Sequence, residues 1–177
     1  TADMITKVIC TAFHQNKGNY SRRYASAGGL YPVTPFLYIF KEIDNLTPGV
    51  YFIPSNENYL YKIKDFNQTH LNKIREVIDF NNSDKKIPSN VAIGYALNIN
   101  KSVAKYSYRG YRHGLIEVGT ISQAFRESCH EYGMQEFSSS AFDDLICTKL
   151  SGLSVRDFPL ILMQWFGSKN TGGYHNV

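Results

Sequence analysis

Cysteine is scarce in this sequence and poorly placed for cross-linking. Cys10, Cys129 and Cys147 are odd in number and widely spaced. No C-x-x-C pair exists, which excludes a disulfide framework and a zinc ribbon. The five histidines (His14, His70, His113, His130 and His175) have no metal-ligand spacing with each other or with the cysteines, so no metal site is expected. Long hydrophobic runs are also missing. The most apolar stretch, around Leu160 to Met163, is the length of a strand, too short to span a bilayer. Excess charge is missing too. A net charge of +4 suits an anionic small-molecule partner better than a nucleic acid, which calls for a denser basic stripe. No Gly-Lys-Ser/Thr ending is present for a P-loop, and no dinucleotide-binding glycine fingerprint. Neither a signal peptide nor an internal repeat is seen. Reduced thiols without a targeting segment lead us to expect a cytoplasmic protein that does not meet membranes.

What is present is the composition of a folded domain. Hydrophobic residues make up 43% and aromatics 14% of 177 residues. These proportions favour a buried core over disorder, and the length favours a single domain over 1–177. Residues 3–15 read as a helix that Asp3 can cap. Residues 36–40 and 91–97 read as buried strands, and 49–53 and 59–63 as a hairpin across the turn 54–58. A helix around Leu71, Ile74 and Ile78 is expected to end near Asn81 and Asn82. From Tyr111 onward, Leu115, Val118, Ser122, Phe125 and Cys129 recur at helical spacing, with Gly133 as a stop. Gly114 and Gly119 inside that helix imply close contact with another helix or a flat ligand. Ser140 can cap a short helix over 141–150, with Asp143 and Asp144 complementing its dipole. Residues 159–166 form a last apolar strand. Strands and helices mix in an α+β order.

Two stretches carry chemistry. In Lys105-Tyr106-Ser107-Tyr108-Arg109-Gly110-Tyr111-Arg112, an amine, a phenol and two guanidinium groups lie within eight residues. Lysine and tyrosine both titrate near 10 when free. Desolvation or the neighbouring arginines would bring either into use near neutral pH. Arg109 and Arg112 share a helical face, from which they can grip a phosphate or tie down a carboxylate such as Glu117. The second stretch is Ser26-Ala27-Gly28-Gly29, which follows Arg22-Arg23. Its small residues let backbone amides approach a ring system, with cations beside them for a phosphate. Taken singly, each stretch also reads as ordinary structure: a tight turn beside solvated arginines, or a solvated lysine next to a packed tyrosine.

Together they resemble one family. Residues 22–32, ending Ala-Ser-Ala-Gly-Gly-Leu-Tyr-Pro, are similar to a conserved-type segment of the SagB-type dehydrogenases, in the nitroreductase-like FMN superfamily. Lys105-Tyr106 followed by Arg109-Gly110-Tyr111-Arg112, then Glu117-Val118-Gly119 and the strand ending Phe166-Gly167, match further segments in the same order. The resemblance covers nearly the whole chain and includes the azoline dehydrogenase subunits of microcin-type azole synthetases. It implies a central, mainly antiparallel sheet flanked by helices, and a homodimer with FMN at the subunit interface. The implied reaction is oxidation of peptide thiazolines or oxazolines to thiazoles or oxazoles, in partnership with a precursor peptide and cyclodehydratase subunits. Lys105 and Tyr106 would be catalytic. Arg22, Arg23, Ser26, Ala27, Gly28, Gly29, Arg109, Arg112, Ser139 and Ser140 would contact the cofactor. Ala25 stands where the family usually has proline. The arginine-rich segment that holds the FMN phosphate in nitroreductases would lie upstream of Thr1. Two alternatives stay open: an NAD(P)H-dependent flavin reductase, and a non-catalytic scaffold subunit.

Overall fold

The structure, a computed structural model, describes residues 1–15, 22–78 and 88–168. A six-stranded sheet lies at its centre, in the order β3-β2-β1-β4-β6-β5. The strands are β1 Val33–Ile39, β2 Gly49–Phe52, β3 Tyr61–Asp65, β4 Val91–Leu97, β5 Gln135–Ser139 and β6 Leu160–Gly167. Every neighbouring pair is antiparallel. The helices are α1 Ala2–Phe13, α2 Gln68–Val77, α3 Ile99–Tyr106, α4 Arg109–Glu131 and α5 Asp144–Leu150. The α+β expectation and the antiparallel sheet are both met. No helix among the described residues is long and apolar enough to cross a membrane.

The central strands are buried on both faces, because side chains alternate between two cores. Leu37 and Ile39 of β1, with Ile93, Tyr95 and Leu97 of β4, face α1 and α4. Phe36, Tyr38, Ala92 and Ala96 face the α2 and α5 side. On the first side Phe13 of α1 stacks on Phe125 of α4 at 5.4 Å between ring centroids, and Phe125 meets Phe166 of β6 edge-on at 4.9 Å. Contacts of this kind add about 0.5–1.5 kcal/mol to the burial itself. Cys129 and Cys147 are free thiols within these cores, and burial pushes both up to about 12. They are inert packing groups.

Several sequence expectations need correction. Thr1, not Asp3, caps α1: its hydroxyl accepts from the Met4 amide. Asp143 caps α5 by accepting from the Ile146 amide at 2.8 Å. Ser140 therefore does not cap that helix, which starts three residues later than expected, and the strand β5 takes up Ser138 and Ser139 instead. Neither β5 nor α3 is foreseen from periodicity, since both are short and half-exposed. The helix expected to run to Asn81 and Asn82, which lie outside the described residues, ends earlier at Val77: Ile78 is extended and bridges to Phe142. The buried face of α4 runs through Gly110, Gly114, Glu117, Val118, Ile121, Ala124, Phe125, Ser128 and Cys129. Leu115 is exposed, because the glycines, being smallest, sit where the helix lies closest to its neighbours. A Cβ on Gly114 would stand 2.5 Å from a Leu97 methyl. Gly119 meets no neighbouring helix: nothing among the described residues lies within 4 Å of where its Cβ would be.

The tightest approach is between α3 and α4. A Cβ on Gly110 would lie 2.6 Å from the backbone carbonyl of Ser102. The Ser102 hydroxyl donates to the Gly110 carbonyl at 2.7 Å. Gly110→Ala should therefore drive the two helices apart and cost about 1–3 kcal/mol, as overpacking does. Urea unfolding of the variant beside the parent would measure it, and an unchanged midpoint would contradict the packing described.

Candidate functional site

The Lys105 to Arg112 stretch is not one helix but a corner. Tyr106 is the last residue of α3, and α4 starts at Arg109. Between them Ser107 takes φ +51° and ψ −143°, a conformation that costs a non-glycine residue about 1–3 kcal/mol. The corner is held by Ser107 N–H donating to the Val103 carbonyl at 2.8 Å and Gly110 N–H donating to the Ser107 carbonyl at 2.9 Å. The Tyr106 ring stacks on His113 of α4, with centroids 4.9 Å apart and planes 18° from parallel. His113 thereby fixes the ring of Tyr106 from the side of the next helix.

The other stretch comes to meet this corner. Residues 27–29 form a single 3-10 turn just before β1. Gly28 and Gly29 have φ of +60° and +66°, and Tyr31 has φ +48°. Glycine takes this backbone at little cost. Lys105 Nζ lies 3.4 Å from the Gly28 carbonyl oxygen. A Cβ on Gly28 would collide with the Tyr106 hydroxyl and stand 2.6 Å from Lys105 Nζ. The amine and the phenol thus converge on one glycine that must lack a side chain. Beside it, Gly29 has nothing among the described residues within 4 Å of its missing Cβ, so open backbone lies next to the amine and the phenol.

The sheet brings the two halves together. Val33, the first residue of β1, is paired with Leu97, the last of β4. One residue further on, Asn98 N–H donates to the Pro32 carbonyl at 2.9 Å. The Asn98 side chain then caps α3 by accepting from Lys101 N–H at 2.9 Å. The turn and the helix that carries Lys105 and Tyr106 thus grow from adjacent ends of paired strands.

The remaining expected site residues are placed as follows. Arg22 lies over the Tyr31 ring at 4.2 Å and donates to the Tyr24 hydroxyl at 2.7 Å, which keeps it beside the turn. Arg23 points elsewhere, donating to Glu131 at 2.6 Å and to the Ser128 hydroxyl at 3.1 Å near the end of α4. Arg109 and Arg112 lie exposed on the first turn of α4, and neither forms an ion pair among the described residues. Glu117, the expected carboxylate partner, instead turns inward and is 2% exposed. It accepts from Val33 N–H at 3.2 Å. Burial raises its carboxyl above the usual range, against the opposing pull of the Ser26 hydroxyl, the Val33 amide, Arg22 and Lys101. Ser139 and Ser140 lie at the end of β5, three strands from β1 in the sheet, or about 14 Å at ordinary strand spacing. Through the register Ser139 faces Met163, then Gly94 and Phe36, and so lies level with the middle of β1 and not with its first residue. The signal for Glu117 is a carboxylate within the buried stripe of α4. No group of metal-ligating side chains occurs among the described residues.

The six-stranded antiparallel sheet between two helical layers is the nitroreductase-like fold, as its likeness to solved structures shows. Within the class this chain is similar to the microcin B17-processing protein McbC of Escherichia coli, at 25% identity over 171 residues. That match covers 94% of this chain and 61% of McbC. This chain therefore spans about three-fifths of its relative's length. Among solved structures, the E. coli microcin synthetase McbBCD complex with truncated pro-MccB17 bound matches with a TM-score of 0.82 and 25% identity, over 96% of this chain and 64% of the other. A protein described as a nitroreductase, from Anabaena variabilis, matches with a TM-score of 0.77 and 18% identity, over 94% of this chain and 34% of the other. An NAD(P)H:FMN oxidoreductase from Staphylococcus epidermidis matches with a TM-score of 0.64 and 9% identity, over all of this chain and 81% of the other. The last two likenesses speak for the fold alone. No protein-family model matches the sequence.

Gly28→Ala should displace the Tyr106 hydroxyl and Lys105 together and place a side chain on left-handed backbone, at a cost of about 1–2 kcal/mol. Denaturation midpoints and the tyrosine signal in near-ultraviolet circular dichroism would report both effects, and a variant identical to the parent in both would refute the convergence. The Arg23 guanidinium holds the Glu131 carboxyl below the usual carboxylate range. Its folded value is thus lower than its unfolded one, so the stabilisation is present above the unfolded value and lost as pH falls through the folded one. Glu131→Gln should melt below the parent at about pH 7, and the difference should vanish near about pH 3. A constant difference across that range would rule out the ion pair as its source.

Proposed function

We propose that this protein is an FMN-dependent azoline dehydrogenase that oxidises thiazoline or oxazoline rings in a ribosomally made peptide to thiazoles or oxazoles. The observation that carries the reading is the convergence of Lys105 Nζ and Tyr106 Oη on the backbone of Gly28. A proton-transfer pair placed on a bare glycine turn, next to open backbone at Gly29, suits a substrate lying against a flat cofactor. The similarity to the microcin B17-processing protein McbC supports the substrate class.

The residues present fit a flavin phosphate and ring. The open backbone at Gly29 leaves room for a plane. Arg22, over the Tyr31 ring, and Arg109 and Arg112, on the first turn of α4, would hold the phosphate. Ser26, Ala27, Gly28 and Gly29 would face the ring on one side. Ser139 and Ser140 stand too far from Gly28 to share a small ligand within one chain, which favours a site completed by a second copy. The exposed Tyr108, Tyr111, Leu115 and Ile116 along the start of α4 supply an apolar face for that homodimer. Arg23 is assigned to anchoring the loop on α4.

When bound, FMN supplies the two-electron acceptor for the hydride that leaves the azoline ring. The chain's own part is the proton. Lys105 Nζ or Tyr106 Oη takes it from the acidified ring carbon. The stack on His113 and the corner at Ser107 hold both groups in place, so little reorientation is needed at the moment of transfer. The precursor peptide and cyclodehydratase subunits are the proposed partners.

The purified protein should be yellow and release FMN. It should remove about two mass units per ring from an azoline peptide, the two hydrogens of one oxidation. Lys105→Ala or Tyr106→Phe should lower that rate about a hundredfold or more with the flavin retained. Full turnover in both variants would sink the mechanism. Rapid bleaching of the flavin by NAD(P)H, with no reaction of azoline peptide, would favour a reductase instead.

A further inference from the structure

Glu117 is the one carboxylate of α4 that the fold buries almost completely, and the mechanism above does not use it. One oxygen, Oε1, accepts from the amide of Val33 at the first residue of β1. The other, Oε2, is buried and closes no hydrogen bond among the described residues, although the Ser26 hydroxyl lies near enough to favour the ionised carboxylate. Ser26 Oγ in turn accepts from the Tyr31 amide at 2.7 Å, so its proton is free to be directed at Glu117. Lys101 Nζ reaches the Tyr31 carbonyl at 3.4 Å, and Arg22 covers the Tyr31 ring. The segment tied in this way is 26–33, which contains three residues at positive φ: Gly28, Gly29 and Tyr31. Such a segment has few contacts of its own and would relax if released. A buried, partly unpartnered carboxylate is costly, and an apolar residue would fill the same place in α4 more cheaply.

We propose that Glu117 is a positioning residue: from inside α4 it holds the end of the glycine turn at Val33 by accepting from its N–H, with the Ser26 hydroxyl close by at the other end, and so sets the Gly28 backbone against Lys105 and Tyr106. The catalytic consequence rests on the function proposed above, whereas the clamp itself does not. Because α4 also carries His113, one helix fixes the turn at Glu117 and the tyrosine ring at His113, four residues apart.

Two readouts on the whole chain test this separately. In hydrogen exchange, Glu117→Met, of similar shape but without an acceptor, should speed exchange of the Val33 and Tyr31 amides about tenfold, while Ile93 and Tyr95 of β4 stay as in the parent. Glu117→Gln, which keeps an acceptor for Val33, should recover most of that protection. Ser26→Ala should loosen Tyr31 by removing that amide's own acceptor, so if Glu117→Met fails to fold, Glu117→Leu replaces it in the same comparison. In steady-state oxidation of an azoline peptide, Glu117→Met should lower kcat about tenfold with KM within about twofold, and Glu117→Gln should lose less. Unchanged Val33 and Tyr31 amides, or loosening that spreads equally into β4, would overturn the clamp. A loosened turn with an unchanged kcat would overturn its link to catalysis. If the parent protein turns over no azoline, the exchange result still decides the clamp, and only the functional reading fails.

Discussion

Backbone meets backbone where Gly110 rests on Ser102, and the arrangement of the site depends on that contact. With any side chain at position 110, α4 could not approach α3 so closely, the bond from Ser102 to the Gly110 carbonyl would lengthen, and the corner at Ser107 would open. Tyr106 would then leave the face of His113, and Lys105 would move away from the Gly28 carbonyl. The site is therefore a product of helix spacing first and of residue chemistry second. Ordinary groups, an amine and a phenol, acquire a shared target because two helices cross at less than a side chain's width.

The same logic governs the glycines elsewhere. Gly114 admits Leu97, which ends β4 and leads into α3, so the distance from sheet to corner is set by a second missing side chain. Gly28 admits the reactive pair itself. These three positions form a chain of close approaches from the sheet through the helix crossing to the turn. Gly119 belongs to no such chain and stands open, on the outer side of α4 where the apolar face lies.

The sequence made some of this legible. Lys105, Tyr106 and the 26–29 turn could be singled out because each combines unusual residue types over a short span, and their order along the chain matched a family pattern. The long helix and the central strands β1, β4 and β6 were readable because they carry continuous apolar residues. The face of α4 was misjudged because Leu115 looks like core, whereas glycine, the smallest residue in that stripe, marks the true contact. The strand β5 escaped because Gln135, Glu136 and the serines have no strand-like alternation of apolar residues; pairing with β6 imposes the conformation. The separation of Arg23 from Arg22, and the inward turn of Glu117, follow from tertiary contacts to residues more than eighty positions away, which no local pattern encodes.

The pairing of β1 with β4 has a further consequence. Those strands are separated along the chain by a hairpin and a helix, yet the ladder from Ile39–Val91 to Val33–Leu97 must close before Pro32 and Asn98 can meet. Contacts so distant in sequence form late and slowly, because loop closure precedes any gain from them. Neither half of the site can therefore preorganise the other during folding. The turn at Gly28 and the corner at Tyr106 acquire their mutual geometry only once the central ladder has closed as far as Val33 and Leu97.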